Sequence, residues 1–323
     1  MISVEKKEKN IVKSGIKLSF LTLISRILGV IREATKAHFL GTSGLADAFG
    51  VAFLIPNLLR RLFAENSISV AFIPTFRGYL EESREKKETQ DFLNSTFTLI
   101  TFLTTAAVIA GILITPFIVR IFYNDAEQAV IQETIILTRI MFPYLIVISI
   151  AALFQGILNT MNIFSPSGFT PILFNLCVIA GTIFLSKKTE NPARAMSVGV
   201  ITGGLVQAVF QLPFVLKSGW KVSLTSLKKT FSNEGTKKVI SLVIPTIVGM
   251  ASYQLNDLVS TALAGRAGQG IVSSLQYSLR LQELILGIFA VSIGTVILPD
   301  LAGLAKKQKW SEYNRMLINA IKI

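Results

Sequence analysis

The residues of this sequence that could bind a ligand are polar and ionisable side chains inside long apolar runs. A charge at the centre of a bilayer costs about 2.5–3.5 kcal/mol on insertion scales, so such a side chain is expected to face a partner or a polar cavity. The candidate binding residues are Ser25, Arg26, Arg32, Glu33, Asp47, Arg60, Glu65 and Arg280. A further acid, Asp257, could bind a coupling cation or pair with an arginine of another helix, and both interpretations stay open.

Helical spacing sorts the first of these residues into faces. Side chains seven positions apart lie on one face of a helix. This spacing groups Arg26 with Glu33, and it groups Ser25 with Arg32 on a neighbouring face. The first apolar run therefore presents two adjoining polar faces, each with one arginine.

A second group of charges lies late in the second apolar run. Arg61 and Glu65 are four residues apart and can pair along a helix. Arg60 points about 100° away from Arg61, so we expect it to face a cavity without an ionic partner. The alternative is that all three residues lie at the membrane interface and reach the headgroups.

The chemistry that this set favours is the binding of an anion. The planar fork of arginine binds two phosphate oxygens at once, so several arginines on different helices suit a pyrophosphate. The sequence has one histidine and one cysteine and contains neither a His-Glu-x-x-His motif nor a P-loop. We therefore predict no catalytic residues and no metal site. A membrane enzyme acting on polyprenyl pyrophosphates stays open as an alternative of another class.

Long apolar helices must position these residues. Hydrophobic residues make up 51% of the chain and charged residues 16%, whereas a soluble domain carries about 25% charged residues. Continuous apolar runs of roughly 20 residues recur, each long enough to cross a bilayer as a helix. The fold class predicted is an all-α polytopic membrane protein. The segments lie near 14–38, 46–74, 92–119, 131–157, 167–186, 196–216, 238–263 and 271–298.

The distribution of charge predicts the orientation. The formal net charge is +13, and most lysines lie between the apolar segments. Basic loops remain on the cytoplasmic side of a membrane, so this pattern places the N-terminus in the cytoplasm and argues against a nucleic-acid partner. One break disagrees, because Lys187, Lys188 and Arg194 fall on the outer side.

Two stretches of the chain resemble each other. Those starting at Gly41 and Gly265 both open with Gly-x-x-Gly and end in the similar FIPTF and ILPDL. Helices seven and eight therefore read as a parallel copy of helices one and two. The domains predicted are a six-helix lobe over 1–220, a basic cytoplasmic linker over 221–237, and the start of a second lobe over 238–323. Because the second lobe stops early, we expect a C-terminally truncated chain.

Several motifs together resemble one protein family. The run SRILGVIREATKAHFLG and the later PNLLRRLFAE are similar to the opening helices of the MurJ (MviN) lipid II flippases. The resemblance continues through FPYLIVISIAALFQGILNTMNIFSPSGFTP and SLRLQELILGIFAVSIGTVILP. That family belongs to the superfamily of multidrug, oligosaccharidyl-lipid and polysaccharide exporters. Glu33 departs from the family pattern, which often has aspartate there.

The resemblance implies a function. Members of this family flip lipid II, an undecaprenyl-pyrophosphate-linked peptidoglycan precursor, from the cytoplasmic to the outer leaflet by alternating access between two lobes. The family's cavity residues match Ser25, Arg26, Arg32, Glu33, Asp47, Arg60, Glu65 and Arg280. The expected partners are lipid II, membrane lipids and proteins of cell-wall synthesis in a bacterial inner membrane.

No cofactor is expected, and coupling to a monovalent cation or to the membrane potential stays open. The alternatives are a flippase for another polyprenyl-pyrophosphate-linked oligosaccharide, the membrane enzyme above, or a non-transporting scaffold for cell-wall assembly.

Overall fold

The computed structural model describes residues 2–62, 68–82, 85–123, 126–288, 297, 301, 303–306 and 308–322. Within these ranges the regular structure is helical and includes no strand. The helices are α1 (Ile2–Leu40), α2 (Gly44–Arg60), a π-helix (Ile68–Phe72), α3 (Ile73–Glu81), α4 (Lys86–Phe122), α5 (Gln128–Met141), α6 (Tyr144–Thr160), α7 (Ser165–Leu185), α8 (Pro192–Lys217), α9 (Leu227–Ser232), α10 (Glu234–Ala267), α11 (Ile271–Ile288) and α12 (Trp310–Lys322).

Among the described residues, five helical stretches are long and apolar enough to cross a membrane. They are Lys86–Phe122, Gln128–Thr160, Ser165–Leu185, Pro192–Lys217 and Glu234–Ala267. The other three predicted segments fall in α1, α2 and α11, which carry most of the candidate binding charges. Charged faces on these helices suit a polar interior better than lipid.

Two boundaries differ from the sequence prediction. The segment near 131–157 is two helices, because Pro143 has no N–H to continue α5 and the chain restarts at Tyr144. The linker predicted over 221–237 contains the short helix α9 and the first turn of α10. The eighth segment, near 271–298, is described as helix as far as Ile288.

The linker is docked on α4 by a polar ladder. Gln90, Asn94 and Thr98 are spaced by four residues, so they share one face of α4. The side chain of Asn94 accepts from the Ser223 amide at 3.1 Å, and that of Thr98 accepts from the Thr225 amide at 2.9 Å. Gln90 accepts from the Lys221 amide at 3.3 Å and also donates to the Lys221 carbonyl at 2.5 Å. Four helical residues rise about as far as two extended ones, so the two spacings match.

Glycines allow α7 and α8 to pack backbone to backbone. A Cβ at Gly199 would lie 2.9 Å from the Cα of Val178, and one at Gly181 would lie 2.9 Å from the Cα of Gly199. Such small-residue contacts replace the hydrophobic effect as a source of association between helices in lipid. The pair α7–α8 thereby forms a fixed wall, against which α1 and α6 also pack.

The basic break between α7 and α8 contains an ion-pair cluster. Arg194 makes two 2.8 Å contacts with the Glu133 carboxylate, and its side chain is only 20% exposed. Asn191 donates to the same carboxylate at 2.9 Å. The charge of Arg194 is therefore balanced within the protein, which weakens its conflict with the predicted orientation.

The chain forms two compact units, Met1–Leu275 and Gln276–Ile323. The first contains α1 to α10 and the first turn of α11. The second contains the rest of α11 and α12. The predicted division into lobes at 220 and 238 stays a prediction.

The replacement Gly199→Val tests the packing of α7 on α8. We expect it to lower the free energy of unfolding by about 1–3 kcal/mol, because the new side chain forces the two backbones apart. Gly249→Val is the matched control, since nothing lies within 4 Å of a Cβ at Gly249. Unfolding of detergent-solubilised protein measures both, and an equal effect of the two changes would contradict the packing described.

Candidate functional site

The most buried arginine among the candidate residues is Arg32 of α1, which is 9% exposed. Its Nη2 lies 2.8 Å from Oε1 of Glu33, and its Nη1 donates to Oδ1 of Asn175 at 3.3 Å. The guanidinium carbon lies 5.8 Å from the ring centroid of Phe174, a cation–π distance. A carboxylate, an amide and an aromatic face thus fix this arginine inside an apolar bundle.

Asn175 holds two turns of α1 at once. Its Nδ2 donates to the backbone carbonyl of Ser25 at 3.2 Å, while its Oδ1 accepts from Arg32. Asn175 therefore bridges the Arg32 side chain and the Ser25 backbone. The grouping of the Ser25 and Arg32 side chains on one face stays a prediction. The spacing did not identify Asn175, since an asparagine in an apolar run carries no charge to mark it.

Lys36 is a second buried cation on the same helix and was not selected from the sequence. It is 3% exposed, and its Nζ lies 5.7 Å from the ring centroid of Phe49 on α2. Lys36 follows Arg32 by four residues, so the two cations share a face of α1. That spacing could have found it.

Asp47 joins α2 to the start of α11. Its Oδ2 accepts from the Gly270 amide at 2.5 Å and its Oδ1 from the Ser273 amide at 2.8 Å. The first amides of a helix have no partner within the helix and favour a negative charge. Asp47 is 3% exposed, so the structure gives it a capping role that the sequence did not predict. Its role in substrate binding stays a prediction.

The turns before α2 and α11 meet at the same place. A Cβ at Gly270 would lie 2.6 Å from the carbonyl oxygen of Thr42, so only glycine allows this approach. Gly270 also has φ +85°, a conformation that favours glycine. These turns belong to the two sequence stretches that resemble each other.

Burial raises the pKa of nearby Tyr123 well above its usual range, and the Asp47 carboxylate raises it further.

Asp257 pairs with an arginine, one of the two interpretations that the sequence left open. Its Oδ2 lies 3.2 Å from Nη1 of Arg61, so this ion pair links α10 to the end of α2. Both side chains are about one-third exposed. The predicted partner of Arg61, Glu65, lies outside the described residues.

Arg60 has a hydrogen-bond partner on its own helix, while the prediction that it faces a cavity without an ionic partner stays a prediction. Its Nε donates to Oδ1 of Asn57 at 3.0 Å. This partner lies three residues earlier on the same helix face and is neutral. The contact therefore orients the guanidinium without cancelling its charge.

Two further candidates, Arg26 and Arg280, lie in different compact units. Arg26 is half-buried on α1. In the second compact unit, Nη1 of Arg280 lies 2.7 Å from Oε2 of Glu283, and both side chains are substantially exposed. Within the described part of the chain, no three His, Cys, Asp or Glu side chains are grouped so that they could hold a metal ion.

This fold is shared with known transporters. A solved structure of "Lipid II flippase MurJ, inward closed conformation" aligns with 95% of this chain at a TM-score of 0.76 and 28% identity, and the alignment covers 62% of that protein. A transporter of the multidrug, oligosaccharidyl-lipid and polysaccharide exporter superfamily from Pyrococcus furiosus aligns at a TM-score of 0.66 and 14% identity, covering 95% of this chain and 68% of its own. The fold is therefore that of a multi-pass α-helical transporter.

Sequence comparisons narrow the class to one family. The family model "Lipid II flippase MurJ" matches residues 36–323. The probable lipid II flippase MurJ of Treponema pallidum is 49% identical over 98% of this chain and 60% of its own length. That of Vibrio cholerae is 37% identical over 91% of this chain and 57% of its own length. The chain belongs to the lipid II flippase MurJ family, a family of bacterial inner-membrane proteins, and the resemblance noted in its motifs is confirmed. It spans about 60% of the length of these relatives.

Removal of the Asp47 carboxylate tests its capping role. In a Cys177→Ser background, Ser273→Cys places a thiol at a fully buried position. Asp47→Ala removes two charge-assisted hydrogen bonds, each worth about 1.5–3 kcal/mol. We expect labelling of that thiol by a polar maleimide to become about tenfold faster or more. Asp91→Ala, which removes the Lys229 ion pair, is the control, and an unchanged rate in Asp47→Ala would contradict the cap.

Proposed function

We propose that this protein moves lipid II from the cytoplasmic to the outer leaflet of the bacterial inner membrane for peptidoglycan synthesis. The observation that carries the proposal is the buried Arg32 of α1 in a chain of this family. An anion beside Arg32 would enter a site from which water is largely excluded, where electrostatic attraction is strong. The apolar surface of the surrounding helices would suit a polyprenyl tail.

The contacts of Arg32 favour a site that is already shaped for an anion. Arginine has five N–H donors, and the contacts to Glu33 and Asn175 use two of them. The guanidinium thus retains donors in an orientation fixed by α7. A pyrophosphate would compete with Glu33, so entry of the headgroup would loosen this ion pair. Such competition would make binding reversible, as a carrier requires.

The contacts around Asp47 support a mechanism of alternating access. They close the end of the bundle at which the two resembling turns meet. With the N-terminus in the cytoplasm, as the basic loops favour, that end faces outward. The described conformation would then admit substrate from the cytoplasmic side, and separation of the turns would release it outside. Because the Asp47 bonds are few and local, this contact can break without unfolding a helix.

Energy coupling is proposed to use the membrane potential. The alternative, a monovalent cation at Asp257, would have to compete with Arg61 for that carboxylate. The intact pair has no net charge, but its separation would let Arg61 or Asp257 move alone in the field, where each elementary charge moved across 100 mV contributes about 2.3 kcal/mol. Proteins of cell-wall synthesis are proposed as further partners that would supply and use the lipid.

Replacement of the arginines by alanine tests the function. We expect Arg32→Ala, Arg60→Ala and Arg280→Ala each to reduce lipid II flipping in proteoliposomes at least tenfold, because each would remove charge-assisted bonds to the pyrophosphate. Arg139→Ala is the control, since Arg139 is exposed and donates to the backbone carbonyl of Ile112 at 3.3 Å. Protein abundance in the membrane is measured in parallel.

Two outcomes would count against the proposal. Normal flipping by all three variants at equal abundance would exclude these arginines as the substrate site. Release of phosphate from lipid II by the wild-type protein in detergent, without flipping in vesicles, would favour the enzyme alternative instead.

A further inference from the structure

An apolar cleft separates α4 from α10, and Arg32 and its partners are not among the residues that line it. Its volume is about 230 Å³, and its walls are almost entirely hydrocarbon. Ile244 is 58% exposed and Leu103 44% exposed, so the cleft is open at its side. The lining residues are Ile68, Phe72, Thr96, Leu99, Ile100, Leu103, Thr104, Val239, Ile240, Val243, Ile244 and Ile247.

The two walls of the cleft run in the same direction and in register. Gly235 lies against the ring of Phe92, and from there each helix lines the cleft over eight or nine residues. On α10 the lining extends from Val239 to Ile247. At 1.5 Å per residue this is about 12 Å of helix. A narrow apolar slot of this length, open along one side, suits a single hydrocarbon chain.

One hydroxyl inside the cleft has no hydrogen-bond partner among the described residues. Thr96 is fully buried, and its Oγ1 is unsatisfied. Other threonines of α4 bond the carbonyl four residues earlier, as Thr98 does at 2.8 Å and Thr104 at 2.7 Å. A buried hydroxyl without a partner is costly. The unsatisfied hydroxyl of Thr96 therefore indicates that a bound ligand supplies the acceptor, at the end of the cleft nearest the start of α10.

A lysine lies at the rim above that hydroxyl. Lys237 precedes Ile240 by three residues and Ile244 by seven, so all three share a face of α10. Lys237 is exposed, half a turn before the first lining residue, Val239. The neighbouring Lys238 is equally exposed but points about 100° away from Lys237, farther from the cleft.

From these three features we propose that the cleft binds an anionic phospholipid of the phosphatidylglycerol type. Lys237 binds the phosphate, the Thr96 hydroxyl donates to an ester carbonyl of the glycerol, and one acyl chain fills the slot down to Ile247. The order of the groups along α10 is their order along a phospholipid: charge, then ester, then hydrocarbon. Basic pockets between membrane helices on the cytoplasmic side are typical sites for anionic headgroups.

The occupant is a lipid and not a further segment of protein because the polar groups match an ester-linked lipid anion. An apolar helix would fill the slot without using the charge of Lys237. This site goes beyond the proposed transport function, and it requires only that the chain lies in a membrane. Bound lipid would hold α10 against α4 and stabilise the docked linker between them.

Native mass spectrometry of the intact protein in detergent tests the proposal. The probes are dioleoyl phosphatidylglycerol, its dialkyl ether analogue and dioleoyl phosphatidylcholine. We expect the wild-type protein to prefer the ester-linked phosphatidylglycerol over both others by about tenfold, the effect of one charge-assisted or buried hydrogen bond. Lys237→Gln should remove the preference over phosphatidylcholine, and Lys238→Gln should not.

Two further variants separate the parts of the site. Thr96→Val, which is nearly isosteric, should abolish the preference for the ester over the ether. Ile244→Trp should block the mouth of the cleft and lower binding of both phosphatidylglycerol probes, the ester and the ether, at least tenfold. Val248→Trp, one turn along α10 and 69% exposed, should not. Equal binding of all three lipids by the wild-type protein would overturn the proposal. So would unchanged lipid preferences in both Lys237→Gln and Thr96→Val.

Discussion

The structure depends on one constraint, which is that a charge in an apolar bundle must have a partner. Arg32 meets it with the carboxylate of Glu33, the amide of Asn175 and the ring of Phe174. These contacts reach from α1 to α7, so the position of the charge fixes the position of the helix. Asp47 and Asp257 meet the same constraint elsewhere, through helix amides and through Arg61. Apart from the Arg32–Glu33 pair within α1, each of these polar contacts joins two elements far apart in the sequence.

Apolar packing provides the frame for these polar contacts. Helices in lipid gain little from the hydrophobic effect, so close backbone approach and interhelical hydrogen bonds determine how they associate. Gly199 brings α7 and α8 together, and α7 then presents Asn175 to α1. The α7–α8 contact is made backbone to backbone, whereas the polar part of the contact at Asp47 consists of two hydrogen bonds.

Periodic features of the molecule could be predicted from the sequence, and contacts between distant residues could not. The all-α membrane fold followed from the length of the apolar runs, and the helical repeat could have placed Lys36 beside Arg32. The sequence could not choose between the two roles of Asp257, because its partner is 196 residues away. Asn175 was missed because a neutral amide does not stand out in an apolar segment. The break before Tyr144 depends on Pro143, which has no N–H, so the position of this proline in the sequence could have predicted two helices instead of one.

The central claim is that the buried Arg32 recognises a pyrophosphate. The most direct measurement is the relative binding of lipid II and undecaprenyl phosphate to the intact protein, compared between wild type and Arg32→Ala by native mass spectrometry. We predict that the wild-type protein prefers lipid II and that Arg32→Ala loses this preference by at least tenfold while remaining folded. Retention of the full preference in Arg32→Ala would show that Arg32 and Glu33 form a purely structural ion pair and that the pyrophosphate binds elsewhere.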